Sequence, residues 1–266
     1  MISDKAVIEK SAKIGAGVKI EEFVRIEPNA VIGDDVLIRQ GAVIGRNAVI
    51  GQGTKIFPYA VIGTEPQDLK YRGEETLCEI GKNCIIREFT TVNRGTIATG
   101  KTVVGDNVLL MAYVHIAHDC RVGENSILAN CATLAGHVTV ENNVIVGGLT
   151  PIHQFVKIGS YAMLGGASRI SQDVPPYSIV AGNPAYLYGL NLIGLKRAGF
   201  TAEKISILKK AFKIIFRSAM TKEEALNEAL KLEKIPELEK LIDFVKNSER
   251  GITPSRTAGK NGDGEY

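Results

Sequence analysis

Low net charge and the lack of a long apolar run exclude several classes of protein for this chain of 266 residues. A formal net charge of +3 leaves no electrostatic footprint for nucleic acid, apart from local basic patches. No apolar stretch reaches the roughly 20 residues of a membrane-spanning helix, so we expect no stable membrane insertion. The N-terminus carries no signal-peptide pattern, and we therefore expect a cytoplasmic protein.

Cysteine is also scarce, and its spacing argues against a disulfide framework or a zinc ribbon. None of Cys78, Cys84, Cys120 and Cys131 forms a CxxC pair. We expect buried, reduced thiols that behave as small apolar side chains.

A six-residue repeat dominates the first two thirds of the chain. Stepping by six from Ile8 to Ile170 visits 28 positions, and 25 of these hold Ile, Val or Leu. A helix with 3.6 residues per turn cannot produce this spacing. The position two residues earlier is usually small or β-branched, and glycine often follows the aliphatic residue, where we place a tight corner. We predict one short strand and one turn per unit, with three units closing an 18-residue triangular coil.

This Ile-Gly-x-x-Ala-x-Ile pattern resembles that of the hexapeptide-repeat transferases. The resemblance implies a mainly β fold, a left-handed parallel β-helix followed here by a small C-terminal α-helical domain. It also implies a homotrimer whose active sites lie between neighbouring prisms. The low net charge, for its part, leads us to expect no nucleic acid as partner.

The repeat is interrupted twice and then gives way to helical patterns. One break runs from Thr64 to Leu77 and the other from Asn93 to Thr102, and we expect both to form outward loops. Beyond Pro175-Pro176, Thr201 can cap a helix that runs to about Ser218. Thr221 opens a capping box, and Pro236 suits the first turn of a third helix. We predict a β-helix over 1–184, helices over 185–250 and a disordered tail over 251–266.

All four histidines lie within the repeat, at positions 115, 118, 137 and 153. His118 and His137 are 19 residues apart, so they should occupy adjacent rungs of one side. Three interpretations remain open on this evidence of spacing. The imidazoles could make hydrogen bonds at an interface, bind zinc, or supply a general base.

Longer motifs resemble those of the bacterial UDP-N-acetylglucosamine 3-O-acyltransferases. The resemblance covers about residues 2 to 250. Its segments are His115-Ile116-Ala117-His118-Asp119-Cys120, Gln67-Asp68-Leu69-Lys70-Tyr71, Arg94-Gly95-Thr96, Ala132-Thr133-Leu134-Ala135-Gly136-His137, His153-Gln154-Phe155 and Gly194-Leu195-Lys196-Arg197.

The resemblance implies a role for each matching residue. His118 would be the general base, Asp119 would orient it, and the Gly136 amide would stabilise an oxyanion. A direct contact between His118 and Asp119 requires a corner there, because adjacent strand residues point to opposite faces. Gly166 would set the acyl length. The remaining residues would bind substrate: Gln67, Asp68, Lys70, His115, His137, His153, Gln154, Asn191 and Arg197.

The resemblance also implies an acyl donor, an acceptor and a pathway. A 3-hydroxyacyl chain on the phosphopantetheine of acyl carrier protein would pass to the 3-hydroxyl of UDP-N-acetylglucosamine, in the first step of lipid A synthesis, with no metal and no other cofactor. The acidic carrier protein should meet basic side chains. The candidates are Arg169, Lys196, Lys204, Lys209 and Lys210.

Some residues depart from the family pattern, and several other functions remain as alternatives. The nucleotide region has Pro184, Ile193 and Ala198 where relatives of the family carry polar residues, so the uridine contacts are less defined. The acceptor could instead be a 3-amino sugar nucleotide. A coenzyme-A-dependent acetyltransferase, a zinc hydratase and a purely structural β-helix are the alternatives. A related N-acyltransferase with an additional N-terminal domain fits poorly, because the hexads here begin at Ile8.

Overall fold

The computed structural model describes residues 1–256, which form a coil of short stacked strands followed by four helices. The strands of the first half are β1 (Val7–Ile8), β2 (Lys13–Ile14), β3 (Lys19–Ile20), β4 (Arg25–Ile26), β5 (Val31–Ile32), β6 (Leu37–Ile38), β7 (Val43–Ile44), β8 (Ala48–Ile50), β9 (Lys55–Ile56), β10 (Val61–Thr64), β11 (Leu77–Ile80), β12 (Ile85–Ile86) and β13 (Thr91–Asn93). Those of the second half are β14 (Lys101–Val104), β15 (Leu109–Leu110), β16 (His115–Ile116), β17 (Arg121–Val122), β18 (Ile127–Leu128), β19 (Thr133–Leu134), β20 (Thr139–Val140), β21 (Ile145–Val146), β22 (Pro151–Ile152), β23 (Lys157–Ile158), β24 (Met163–Leu164), β25 (Ser178–Ala181) and β26 (Tyr186–Leu190).

Every third strand joins the same sheet, so the chain winds around a three-sided prism. Sheet 1 has the order β1-β4-β7-β10-β13-β16-β19-β22, and sheet 2 the order β2-β5-β8-β11-β14-β17-β20-β23. Sheet 3 runs from β3 through β6, β9, β12, β15, β18, β21 and β24 to β25 and β26. All pairs are parallel except β25–β26. The predicted β-helix is therefore confirmed.

The prism interior is a set of aliphatic columns. Ile116 of β16, for example, pairs in register with Val92 of β13 and Leu134 of β19, and all three side chains are fully buried. Burying a side chain of this size stabilises the fold by roughly 1.5–3 kcal/mol. Cys78, Cys84 and Cys120 lie in the same interior.

The corners differ from our expectation for glycine. The left-handed conformation falls on the third residue after the inward aliphatic, as at Asp119 (φ 61°), His137 (φ 63°) and Phe155 (φ 65°). A glycine directly after the inward aliphatic residue is required for a different reason. At Gly33, a Cβ would lie 2.8 Å from the backbone nitrogen of Gln52 on the next coil, so close stacking of coils requires glycine there.

Both predicted interruptions form loops on one edge of the prism, where sheet 1 gives way to sheet 2. Loop A (residues 65–76) joins β10 to β11, and loop B (residues 94–100) joins β13 to β14. Because β10, β13 and β16 are neighbours in sheet 1, the two loops stack directly before the corner that carries His118.

The C-terminal helices close the far end of the prism. They are α1 (Leu192–Arg197), α2 (Ala202–Arg217), α3 (Lys222–Ala229) and α4 (Pro236–Lys246). The predicted Thr201 cap, the Thr221 capping box and the first-turn Pro236 are all present. No helix within residues 1–256 is long and apolar enough to cross a membrane.

Two boundaries differ from those expected. Residue 184 falls inside the β25–β26 hairpin, because β26 returns antiparallel and extends sheet 3 to Leu190. Residues 251–256 are packed rather than disordered. Asp173 N donates to Gly251 O at 2.9 Å and Leu187 N donates to Pro254 O at 2.8 Å. The rest of the predicted tail, 257–266, lies outside the described residues.

Candidate active site

The corners that follow the strands of sheet 1 bring the histidines together, and we call this line of corners the histidine edge. It comprises loop A, loop B and residues 117–120, 135–138 and 153–156. Successive coils place His118, Gly136 and Gln154 at one corner position. Asp119 and His137 occupy the next position, with Phe155 above them. The prediction that His118 and His137 lie on adjacent rungs is confirmed, since their ring centroids are 5.2 Å apart.

His118 and Asp119 form a hydrogen-bonded dyad despite being adjacent in sequence. The left-handed backbone at Asp119 makes the corner that this contact requires. His118 Nδ1 lies 2.8 Å from Asp119 Oδ2. An ionised carboxylate can only accept, so Nδ1 carries the proton and the lone pair of the neutral ring is on Nε2.

The Asp119 carboxylate is fully enclosed and accepts four hydrogen bonds. Thr96 donates twice, from its backbone nitrogen to Oδ1 at 3.0 Å and from its hydroxyl to Oδ2 at 2.7 Å. The Thr99 hydroxyl donates to Oδ1, and His118 supplies the fourth bond. Burial alone would raise the pKa of the Asp119 carboxyl, but the bonds from Thr99, His118 and Thr96 together hold that pKa below its usual value of 3.8.

Gly136 lies directly beside the His118 ring. A Cβ at Gly136 would be 2.7 Å from His118 Cε1 and 2.8 Å from Nε2, so only glycine permits this approach. The Gly136 amide also has no hydrogen-bond acceptor among residues 1–256. A residue with a free backbone N–H therefore lies next to the ring nitrogen that can take a proton.

The other two histidines near the dyad are held by different contacts. His137 stacks on Phe155, with ring centroids 4.6 Å apart, and its Nε2 lies 3.7 Å from Asp119 Oδ2. His115 Nδ1 is 2.7 Å from the Thr91 hydroxyl. Desolvation, assisted by the nearby His118, lowers the pKa of His115 below 6.5, so we expect a neutral ring at pH 7.

Loop A is tied to loop B and to the end of β13, and loop B is tied in turn to Asp119. Asn93 Nδ2 donates to Glu65 O at 2.8 Å, and the Thr76 hydroxyl donates to Gly95 O at 2.5 Å. Arg94, whose side chain is only 7% exposed, has an Nη2 3.7 Å from Glu65 Oε1. A continuous set of contacts therefore runs from loop A through loop B to the dyad.

The predicted substrate residues are divided between several places. Gln67 and Lys70 are exposed on loop A, beside the half-buried Asp68, and the exposed His153 and Gln154 continue the histidine edge. Gly166 is exposed at a different edge of the prism, after β24 of sheet 3. Arg197 is exposed at the end of α1.

Asn191 has a structural task that the sequence did not indicate. Its Oδ1 accepts from Gly194 N at 3.0 Å as the N-cap of α1, and its Nδ2 donates to Tyr161 O at 3.0 Å. The residue is 6% exposed. Contact with a nucleotide therefore remains a prediction for Asn191, whose amide is already used within the chain.

Comparison with known proteins identifies the family. The sequence-family model "Bacterial transferase hexapeptide (six repeats)" matches residues 11–46 and 101–136. The family model "Udp N-acetylglucosamine O-acyltransferase; Domain 2" matches residues 173–253. An acyl-[acyl-carrier-protein]–UDP-N-acetylglucosamine O-acyltransferase of Nautilia profundicola is 50% identical over 194 residues, which are 73% of this chain and 75% of that protein. This chain belongs to the UDP-N-acetylglucosamine O-acyltransferase family.

Solved structures of acyltransferases of this family agree in fold. A UDP-N-acetylglucosamine acyltransferase from Bacteroides fragilis is 45% identical, with a TM-score of 0.93 and coverage of 95% of this chain and 99% of that one. The enzyme from Campylobacter jejuni is 44% identical, with a TM-score of 0.92 and coverage of 96% and 100%. The left-handed β-helix with a helical C-terminal domain is thus the fold of this acyltransferase.

Thr96 and Thr99 are residues of the candidate site to which sequence reasoning gave no role, although Thr96 belongs to the Arg94-Gly95-Thr96 segment. A signal for them existed, because counting hexads places loop B on the coil that stacks against residues 117–120. Hydroxyl groups in such a loop are within reach of a carboxylate at that corner. Only the structure shows that both donate to Asp119.

Proposed function

We propose that the chain transfers a 3-hydroxyacyl group from acyl carrier protein to the 3-hydroxyl of UDP-N-acetylglucosamine, the first step of lipid A synthesis, with His118 as general base. The 50%-identical relative from Nautilia profundicola is an acyl-[acyl-carrier-protein]–UDP-N-acetylglucosamine O-acyltransferase, which supports the donor and the acceptor. The observation that carries the mechanism is the 2.8 Å contact between His118 Nδ1 and Asp119 Oδ2, which leaves Nε2 as the proton acceptor.

The reaction needs one proton to be moved twice. The sugar hydroxyl attacks the thioester carbonyl while Nε2 of His118 takes its proton, because a neutral alcohol is a weak nucleophile at pH 7. The tetrahedral oxyanion collapses, the carbon–sulfur bond breaks, and the leaving thiolate receives the proton from His118. The buried Asp119 carboxylate stabilises the imidazolium that exists between these two steps.

The Gly136 amide is the proposed oxyanion donor. Gly136 lies beside the His118 ring, and its N–H has no acceptor within residues 1–256. A preorganised N–H donor of this kind typically contributes 10²–10³-fold to kcat.

Substrate binding is assigned to the rest of the histidine edge and to two residues outside it, His115 on β16 and Arg197 at the end of α1. The exposed Gln67 and Lys70 with Asp68 on loop A would hold the sugar and the acyl hydroxyl. His115 and His137 would hold groups near the reacting carbon. His153 and Gln154 would lie near the diphosphate, and Arg197 would reach the nucleotide.

We further propose a homotrimer. The histidine edge and Gly166, the proposed limit on acyl length, lie on different edges of one prism, so a neighbouring copy is needed to bring such edges together. Sedimentation of the active enzyme as a monomer would contradict this assembly.

The carrier protein, the compartment and the absence of a cofactor complete the proposal. The acidic carrier protein would meet exposed Lys196, Lys209, Lys210 and Arg169. Lys204 contributes less, because it pairs with Glu237 at 2.5 Å. We propose that the reaction proceeds in the cytoplasm without metal or cofactor.

A zinc-dependent function is the alternative with a geometric basis. One ligand atom from each of His118, Asp119 and His137 lies within 4.8 Å of the others. The donor set argues against a cation, however. A carboxylate offers about four lone-pair positions, and three of those on Asp119 accept bonds from Thr96 and Thr99, so a cation would have to displace the His118 N–H from the fourth.

The test is acyl transfer with defined substrates. Purified protein is incubated with UDP-N-acetylglucosamine and a series of 3-hydroxyacyl carrier proteins in the presence of a chelator, and products are identified by mass spectrometry. His118→Ala should lower kcat at least about a hundredfold. The control is Glu124→Ala, at the equivalent position of the next corner.

Each outcome decides between the candidates. Undiminished activity of His118→Ala would show that His118 has a structural role and would refute the mechanism. If no product forms, a 3-amino sugar nucleotide and acetyl-coenzyme A are supplied next, and product with only one of them would select the corresponding alternative. Activity that disappears with the chelator and returns with zinc would select the metal-dependent one.

A further inference from the structure

Loop B supplies three of the four hydrogen bonds that Asp119 accepts. Two come from Thr96 and one from Thr99, and only the fourth comes from His118. The Asp119 backbone is held as well, since its N–H donates to the Thr102 hydroxyl at 2.8 Å. The carboxylate has no exposed surface, so these protein donors take the place of water around it.

The donors and acceptors around each hydroxyl indicate where its proton points. The Thr96 hydroxyl accepts from Ala98 N at 3.2 Å, so its own proton is free to point at Asp119. The Thr99 hydroxyl lies near two acceptors, Lys101 O at 3.0 Å and the Asp119 carboxylate. A hydroxyl has one proton, and the charged acceptor makes the stronger bond.

We propose that Thr96 and Thr99 are positioning residues that fix the Asp119 carboxylate and thereby keep His118 in the Nδ1–H tautomer. This inference rests on the proposed role of His118 as general base. The donors of loop B occupy the remaining lone pairs of both carboxylate oxygens. The carboxylate therefore cannot rotate, and the lone pair left on Oδ2 points at His118 Nδ1.

The consequence concerns kcat rather than substrate affinity. If the carboxylate turns away, the ring can adopt the other tautomer, with the proton on Nε2, and that form cannot accept a proton from the sugar. Substrate contacts on loop A and on the other corners are unchanged by this switch. Loss of either hydroxyl should therefore lower kcat with little change in KM.

The kinetic experiment uses isosteric and conservative variants. Thr99→Val and Thr96→Val should each lower kcat about tenfold, the lower end for a lost hydrogen bond to a charged group. Thr99→Ser keeps the hydroxyl and should retain kcat within about twofold. The control is Thr54→Val, which removes a buried hydroxyl that also makes two hydrogen bonds, to Gly81 O and from Cys84 N, but lies away from Asp119.

A tautomer measurement separates this inference from the proposed function. The chain has only four histidines, so ¹⁵N-histidine spectra are simple, and the His118 signals are those lost in His118→Ala. At pH 9 wild-type His118 should show the Nδ1–H pattern, and Thr99→Val a mixture of tautomers. Because Thr99 is exposed, this variant is the one expected to fold without difficulty.

Either of two results would overturn the inference. One is an unchanged His118 tautomer in both valine variants, whatever their activity. The other is a kcat of Thr99→Val within twofold of wild type, or an equal loss in Thr99→Ser. A wild-type protein that shows the Nδ1–H tautomer but transfers no acyl group would instead refute the proposed function and leave the positioning intact.

Discussion

Replacing Gly136 by alanine tests whether the position of the His118 ring limits the reaction. The new Cβ would lie 2.7 Å from Cε1 and 2.8 Å from Nε2 of that ring, whereas carbon atoms in contact are normally about 3.5–4.0 Å apart. The ring must therefore move by roughly 1 Å, and a misplacement of that size can cost about 10²-fold in rate. We expect kcat to fall about a hundredfold. Stability should change little, because φ at Gly136 is not in the left-handed region and the clash is with a side chain.

Steady-state acyl transfer and thermal unfolding together measure this prediction. The control is Gly189→Ala, where an added Cβ meets nothing within 4 Å. The double variant Gly136→Ala/His118→Ala should be no slower than His118→Ala alone, since both changes act through one ring. A kcat within threefold of wild type would refute the positional argument. A large fall in Tm would show that alanine disturbs the coil rather than the base.

Two further predictions concern Asp119 and Arg94. Because the folded-state pKa of Asp119 is depressed, its charge stabilises the fold fully above the unfolded pKa of about 3.9, and this contribution is lost as pH falls through the folded value. Urea titrations followed by circular dichroism give the unfolding free energies of wild type and Asp119→Asn. The difference between them should be larger at pH 7 than at pH 3. An equal difference at both pH values would contradict this prediction. Arg94→Met removes the contacts of Arg94 with Glu65 and with the Tyr71 ring, so loop A should become less well held. Trypsin should then cut faster at the exposed Arg72. The KM for the sugar nucleotide should rise roughly tenfold, which corresponds to about 1.4 kcal/mol. Unchanged cleavage and KM would show that loop A holds its place without Arg94.

The sequence predicted those parts of the fold that side chains alone specify. The aliphatic hexads define the inward face, and the Thr201, Thr221 and Pro236 signals define the helices, since both kinds of signal act over a few residues. The β25–β26 hairpin and the ordered segment 251–256 were missed for a common reason. Both are held by backbone hydrogen bonds to distant segments, such as Asp173 N to Gly251 O, and such bonds leave no periodic pattern.

The candidate site was predictable to the extent that it follows the coil. Spacing placed His118 and His137 on adjacent rungs, and the need for a corner at Asp119 was evident from strand geometry. The donors to Asp119 were not, because loop B has no period from which to judge where its hydroxyls point. The structural role of Asn191 was missed for a different reason. One amide can cap a helix or bind a ligand, and the residue type does not distinguish the two.

Regular corners of the prism show why an insertion is needed at this site. Asp34 and Asp106 each accept one backbone N–H from the neighbouring coil, from Ala16 and Lys82 respectively. Asp119 accepts four bonds, and three of them come from loop B, the residues that break the hexad spacing.

Loop B is accompanied by an energetic cost in unpaired buried polar groups, and these groups lie close to the dyad. Arg94 Nε and Asn93 Oδ1 are buried without a hydrogen-bond partner among residues 1–256, which is unfavourable by roughly 1–3 kcal/mol for each such group. Both groups belong to the segment that docks loop A and aims Thr96 at the carboxylate. A corner of regular length is too short to supply the donors that loop B provides to Asp119. The regular coils on either side hold loop B in place. The prism therefore concentrates its irregularity beside the one imidazole whose tautomer the proposed chemistry requires.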